Sequence, residues 1–126
     1  MHRKDMAQFI DDLGEWGEMV AIDHLKEKGY FVCHHDWKWQ HKDLDIVAID
    51  NTTKELVFVE VKTRRNNEYG EPEDAVTPEK IRNLKSIAKA YIGFYSISRP
   101  CRFDVISVIG TDDTNVQINH FPSAFS

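Results

Sequence analysis

The run Leu56-Val57-Phe58-Val59-Glu60-Val61-Lys62-Thr63 constrains this chain more than any other stretch. Its apolar residues leave no polar face, which is the pattern of a strand covered on both sides. Such a strand belongs in the interior of a sheet with helices packed against it, so an α/β architecture is expected. The same run ends unusually. Side chains alternate along a strand, so Glu60 and Lys62 share a face with Phe58 while Val57, Val59 and Val61 take the other. An ion pair inside an apolar sheet is a poor stabiliser, because desolvating both charges is often not repaid by their attraction. The two residues therefore ask for a chemical explanation.

The flanking pattern supplies the rest of the fold. Met6, Phe9, Ile10, Leu13, Trp16, Val20, Ala21 and Leu25 recur at helical spacing and stop at Gly29, predicting one long amphipathic helix over about residues 6–28. Strands are expected from Tyr30 through Cys33, over Asp43 to Asp50, and over Leu56 to Thr63. The turn formers of Asp50-Asn51-Thr52-Thr53-Lys54-Glu55 join the last two as an antiparallel hairpin. After a polar loop, Thr77-Pro78 supplies an N-cap and a first-turn proline for a helix to about Phe94, with Ile81, Leu84, Ile87, Ala88 and Tyr91 as its apolar stripe. A strand from Cys101 to Ile109 and an edge strand from Val116 to Phe121 complete the order αβββαβ(β). The 126 residues fit a single domain, 1–126, with a central mixed sheet flanked by helices.

Composition narrows the setting. No apolar run approaches the roughly 20 residues of a membrane helix. The charged start, Met1-His2-Arg3-Lys4-Asp5, is not a signal core, and the two cysteines, Cys33 and Cys101, stand apart in apolar runs. A cytoplasmic protein with reduced, buried thiols is expected. The net charge of −5 means that any contact with nucleic acid must rest on a local basic patch. His34, His35 and His41 do not favour zinc, since adjacent histidines on a strand point in opposite directions. Trp37 and Trp39, on either side of Lys38, suit either a base-stacking surface or packing on the first helix.

The informative feature is the register of the hairpin. Folded at Asn51-Thr52, it pairs positions whose numbers sum to about 105, which sets Asp45 opposite Glu60. Asp45 shares a face with Val47 and Ile49, so each strand carries one acid on an apolar face. Two apposed carboxylates repel unless a cation lies between them, and a hard divalent ion such as Mg²⁺, or Mn²⁺, takes such oxygen ligands. Lys62, one pleat along, faces the same spot. There it can help activate water or stabilise charge developing on a phosphate.

Asp45 followed by Glu60-Val61-Lys62 resembles the D…(D/E)-x-K signature of the restriction-endonuclease-like superfamily. Gly17-Glu18, "DLDIVA", "LVFVEVKTRR", "YGEPEDAVTPEK" and "RPCRFDVISV" together resemble the bacterial YraN, or UPF0102, family, similar to Holliday-junction resolvases, over about residues 14–109. The resemblance implies a restriction-endonuclease-like αβββαβ core and a Mg²⁺- or Mn²⁺-dependent DNA endonuclease. It implies Asp45, Glu60 and Glu18 as metal ligands and Lys62 as the catalytic lysine, with Lys80 at the start of the second long helix. Where the family usually reads Gly-Glu-Ile-Asp, this chain has Lys42-Asp43-Leu44-Asp45, which keeps the aspartate and loses the glycine. Arg64, Arg65, Lys80, Arg82, Lys85 and Lys89 are the expected nucleic-acid contacts, a phosphate track in preference to a merely solvated face. The acidity of the whole suits a narrow, structured DNA substrate, a homodimer, or a repair or recombination partner that delivers the DNA. The alternative is a non-catalytic nucleic-acid or repair-complex module that keeps the nuclease fold.

Overall fold

The computed structural model describes residues 13–66 and 76–126. The expected helical positions Met6, Phe9 and Ile10, and most of the polar loop, lie outside the described residues. Helix α1 (Leu13–Glu27) buries Trp16, Val20, Ala21 and Leu25, the spacing that its apolar stripe requires. The helical pattern continues through Gly17. Gly29 follows at φ 87°, a left-handed conformation that suits glycine beyond a helix end.

Three strands follow in succession: β1 (Tyr30–Trp39), β2 (Lys42–Asp50) and β3 (Leu56–Arg64). Asp50 shapes the turn between β2 and β3, its carboxylate accepting from the Thr52 and Thr53 N–H groups at 2.9 and 3.4 Å. Thr77 caps helix α2 (Pro78–Phe94) by accepting from the Lys80 N–H at 3.2 Å. Strands β4 (Cys101–Ile109) and β5 (Gln117–Phe125) complete a five-stranded sheet in the order β1-β2-β3-β4-β5. β3 and β4 run parallel, which requires a crossover, and α2 provides it. The other neighbouring strands are antiparallel. β5 begins one residue later than expected and runs on to Phe125.

One core layer sets α1 against Ile46, Ala48, Val57, Val59, Ile106 and Val108; the other sets Leu84, Ile87, Ala88 and Tyr91 of α2 against Val47, Leu56 and Phe58. Leu56 through Glu60 are all buried, as a strand covered on both faces demands. Trp37 corrects an expectation. It packs against Tyr91, Phe94 and Tyr95 at the end of α2, not on the first helix. Among the described residues no helix is long and apolar enough to cross a membrane.

A buried ionic network holds the sheet at the N-terminal ends of β3 and β4. Arg102 donates to Asp50 at 2.8 Å, Glu55 at 3.0 Å, Asp104 at 3.0 Å and the Tyr30 hydroxyl at 2.7 Å. Asp104, fully buried, also meets His120 Nε2 at 2.8 Å and accepts from the Ser123 N–H at 3.0 Å. Burial works against its charge, but the bonds from His120, Arg102 and Ser123 hold its carboxyl below the ordinary range. Nothing local in the sequence announces this cluster, whose members lie on four strands and a turn. Arg102→Met removes the cation and strands Asp104 inside the sheet; urea denaturation should show a loss of about 3–5 kcal/mol.

Candidate active site

The regular ladder between β2 and β3 runs from Ile49↔Leu56 to Ile46↔Val59, the register expected from the turn. There it stops. The Leu56 N–H bonds to Pro100, on the β4 side, so alternation turns the N–H groups of Val57, Val59 and Val61 toward β2. At Val61 the acceptor is no longer a β2 carbonyl but the Asp45 carboxylate, at 2.8 Å. Beyond Ile46, β2 keeps its pairing with β1 from Trp37↔Leu44 to Trp39↔Lys42. β2 therefore leaves β3 and opens a gap that Asp45 fills.

This corrects the expected placement of Asp45. Strict alternation would put it on the face of Val47 and Ile49, directly opposite Glu60. Instead Leu44 and Val47 share the α2 layer while Ile46 belongs to the α1 layer, so alternation slips at Asp45. The neighbouring strand is irregular at the same level, where Asp36 has a φ of 55°. Asp45 thus lies between the two faces and not on one of them.

The gap lets both helices reach a single groove of about 660 Å³. From α1 comes Glu18, brought close by Gly17: a Cβ there would meet Thr63 Oγ1 of β3 at 1.9 Å. Only a residue without a side chain permits this approach. Glu18 Oε2 lies 3.3 Å from His35 Nε2 of β1. From α2 comes Lys80, whose Nζ is 3.2 Å from Glu60 Oε1; Lys62 Nζ lies 3.5 Å from the same oxygen. Glu18, Asp45, Glu60, Lys62 and Lys80 therefore line one cavity. Lys80 belongs to the acidic centre itself, and His35 joins it without having been expected there. Arg64, Arg65, Arg82, Lys85 and Lys89 do not line the groove. Arg64 and Arg65 follow it at the end of β3, and Arg82, Lys85 and Lys89 are exposed at helical spacing on the outer side of α2.

The electrostatics follow from this crowding. Burial pushes the Asp45 carboxyl up to about 7, against the pull of the Val61 N–H and with help from the neighbouring Glu18. Burial also raises Glu60 to about 7; repulsion from Asp45 adds to this, while Lys80 and Lys62 oppose it. Burial works against the charge of Lys80, but Glu60 holds its pKa above the ordinary value. Among the described residues, no three His, Cys, Asp or Glu side chains stand ready-made as a ligand set. Glu60 is engaged with two lysines and Glu18 with His35, positions that a bound cation would take over. Oxygen donors whose charge is disfavoured by burial and by one another fit a hard divalent ion.

Comparison with known proteins shows which family the chain resembles. The profile of the uncharacterised protein family UPF0102 matches residues 17–108. A UPF0102 protein of Bacteroides fragilis is 45% identical over 113 residues, covering 90% of this chain and 91% of its own length. Those of Bacteroides thetaiotaomicron and Chlorobium phaeobacteroides are 44% and 43% identical, each covering more than 90% of both chains.

Two consequences can be measured. Gly17→Ala forces a methyl group into Thr63 and moves Glu18 away from Asp45; overpacking of this kind should cost about 1–3 kcal/mol in urea denaturation and weaken divalent-ion binding in calorimetry. The second concerns pH. A folded-state carboxyl raised from 3.8 to about 7 holds its proton more tightly than the unfolded chain does, so stability falls as pH rises through that window. In chelator, Asp45→Asn should match the wild type near pH 4 and exceed it at pH 8 by roughly 1–3 kcal/mol.

Proposed function

Since the chain belongs to the UPF0102 family, we propose that its groove is the active site of a divalent-metal-dependent DNA endonuclease of the restriction-endonuclease-like kind. The observation that carries this reading is the convergence of Glu18, Asp45 and Glu60 with Lys62 and Lys80 where β2 leaves β3. A purely structural ion network would hold its acids below their ordinary pKa, as the Arg102 network does for Asp50 and Asp104 at the other end of the sheet. Here burial first, and then repulsion from a neighbouring acid, raise the pKa of Asp45 and of Glu60 despite their partners, an arrangement typical of functional sites.

Asp45, Glu60 and Glu18 would hold Mg²⁺ or Mn²⁺. When bound, such an ion supplies Lewis acidity to a phosphodiester and makes water a better nucleophile. Lys62 and Lys80 carry the chain's own contribution. Held beside Glu60, they offer two positive charges to the negative charge that develops on phosphate oxygens, and an ammonium donor that orients the attacking water. The Val61 N–H fixes one Asp45 oxygen, which keeps that carboxylate aimed into the groove. His35 steadies Glu18. Arg82, Lys85 and Lys89, exposed along α2, would carry flanking phosphates and so let an acidic protein hold a polyanion. The reaction is hydrolysis of a phosphodiester bond, and branched or otherwise structured DNA of repair or recombination is the natural substrate class for so restricted a basic surface.

The purified protein should cleave at least one member of a panel of linear, flapped, four-way and single-stranded DNAs in Mg²⁺ or Mn²⁺, and none in chelator. Asp45→Ala, Glu60→Ala and Lys62→Ala should each remove most of the rate, because groups acting at one centre do not contribute independent shares. Cleavage in chelator, or full activity without Lys62, would refute the mechanism. Metal and DNA binding with no turnover would instead identify a non-catalytic module that keeps the same groove.

A further inference from the structure

A second surface lies on the other side of the strand that walls the groove. The exposed large apolar side chains among the described residues are Phe31, Trp39, Phe94 and Tyr95, all aromatic and none aliphatic. Trp39 closes β1, and Phe94 and Tyr95 close α2. Phe31, second in β1 and opposite Ile49, whose side chain packs on the α2 layer, lies on that same face but at the far end of the strand, apart from the other three. Beside Phe94 and Tyr95 the rings are locked together. Trp37 lies 5.1 Å from the Tyr91 ring and 6.2 Å from both Phe94 and Tyr95, and its Nε1 donates to the Tyr95 hydroxyl at 3.2 Å. The two nitrogens of His34 meet the Tyr91 and Tyr95 hydroxyls at 2.8 and 3.2 Å. Polar edges are thus satisfied within the cluster. The face of Phe94 is left to solvent, 72% exposed.

We propose that this aromatic shelf stacks the unpaired bases of single-stranded DNA adjoining the groove. The inference rests on the nucleic-acid reading of the groove and names the part of the substrate that lies outside it. Continuity is the first argument: His35, Asp36 and Lys38 line the groove, and Trp37 and Trp39 alternate with them on the same edge strand. A polynucleotide passing over β1 meets the rings within two residues of the acidic centre. Chemistry is the second. Fixed, flat rings without aliphatic knobs match planar ligands better than they match an interdigitating protein surface, and every base has a π-face to offer. Only unpaired bases expose those faces, since a duplex buries them in its own stack. Lys38, exposed between the two tryptophans and paired with Asp36 at 3.1 Å, stands on the groove side of the strand, where a passing phosphate can share its charge.

The test is binding, read separately from cleavage. Anisotropy of a labelled oligothymidylate and of a duplex of equal length is followed with Ca²⁺ in place of Mg²⁺. Trp39→Ala combined with Phe94→Ala should weaken single-strand binding roughly five- to a hundredfold while changing duplex binding by less than about twofold. Trp39→Tyr with Phe94→Tyr, which keeps the rings, should retain most of the affinity. Equal losses on both DNAs, no loss on either, or no single-strand preference in the wild type would overturn the proposal. So would a wild-type dimer that the alanine pair dissociates in sedimentation, since a second copy would then cover the shelf. The nuclease reading is judged by hydrolysis alone: cleavage without the single-strand preference sinks only the shelf, and stacking without cleavage sinks only the nuclease.

Discussion

The hydrogen bond from the Val61 N–H to the Asp45 carboxylate is where the ordinary sheet opens into the groove. A backbone donor inside a sheet must be satisfied, and a neighbouring carbonyl normally does so. When a side chain takes that role, the partner strand is free to move away. β2 does so, and the gap admits Glu18 from one face and Lys80 from the other. Without that substitution the helices would remain on opposite sides of a closed sheet. The acids and lysines would then line two separate surfaces.

The two ends of the sheet resolve buried charge differently. Around Arg102 every acid has a cation or a hydrogen-bond donor, and Asp50 and Asp104 are held below their ordinary pKa despite the cost of burial. Around Asp45 the acids are shifted upward, because burial and mutual repulsion outweigh what two lysines and one N–H return. The first arrangement fastens the β2–β3 turn to β4 and β5. The second stores unfavourable charge at a place that both solvent and ions can reach. Placing them at opposite ends of β3 keeps the stabilised charges apart from the destabilised ones. The same central strand serves both.

Gly17 shows how narrow the tolerances are. Its missing side chain lets α1 rest on Thr63, and the next residue is the acid that completes the groove. The Gly17-Glu18 pair is thus one device, close approach followed by delivery. Lys80 is delivered with equal economy: it lies one turn into α2, at the end of that helix that Thr77 caps, within reach of Glu60.

Much of this was legible in the sequence, and the reasons are local. A continuous apolar run with turn formers before it determined a central strand at Leu56. Helical spacing and Thr77-Pro78 determined α2 to the residue at both ends, and the length of the Asp50–Glu55 connector determined the hairpin register. The chemical identity of Asp45, Glu60 and Lys62 as misplaced charges was visible for the same reason. Each of these signals lies within a few residues of the structure it specifies. Tertiary structure alone decided that alternation slips at Asp45, that His35 and Lys80 join the acids, that Trp37 turns to α2, and that Arg102 gathers acids from across the sheet. Those outcomes depend on where strands part and how closely helices approach, and such contacts link residues tens of positions apart, which no local period encodes.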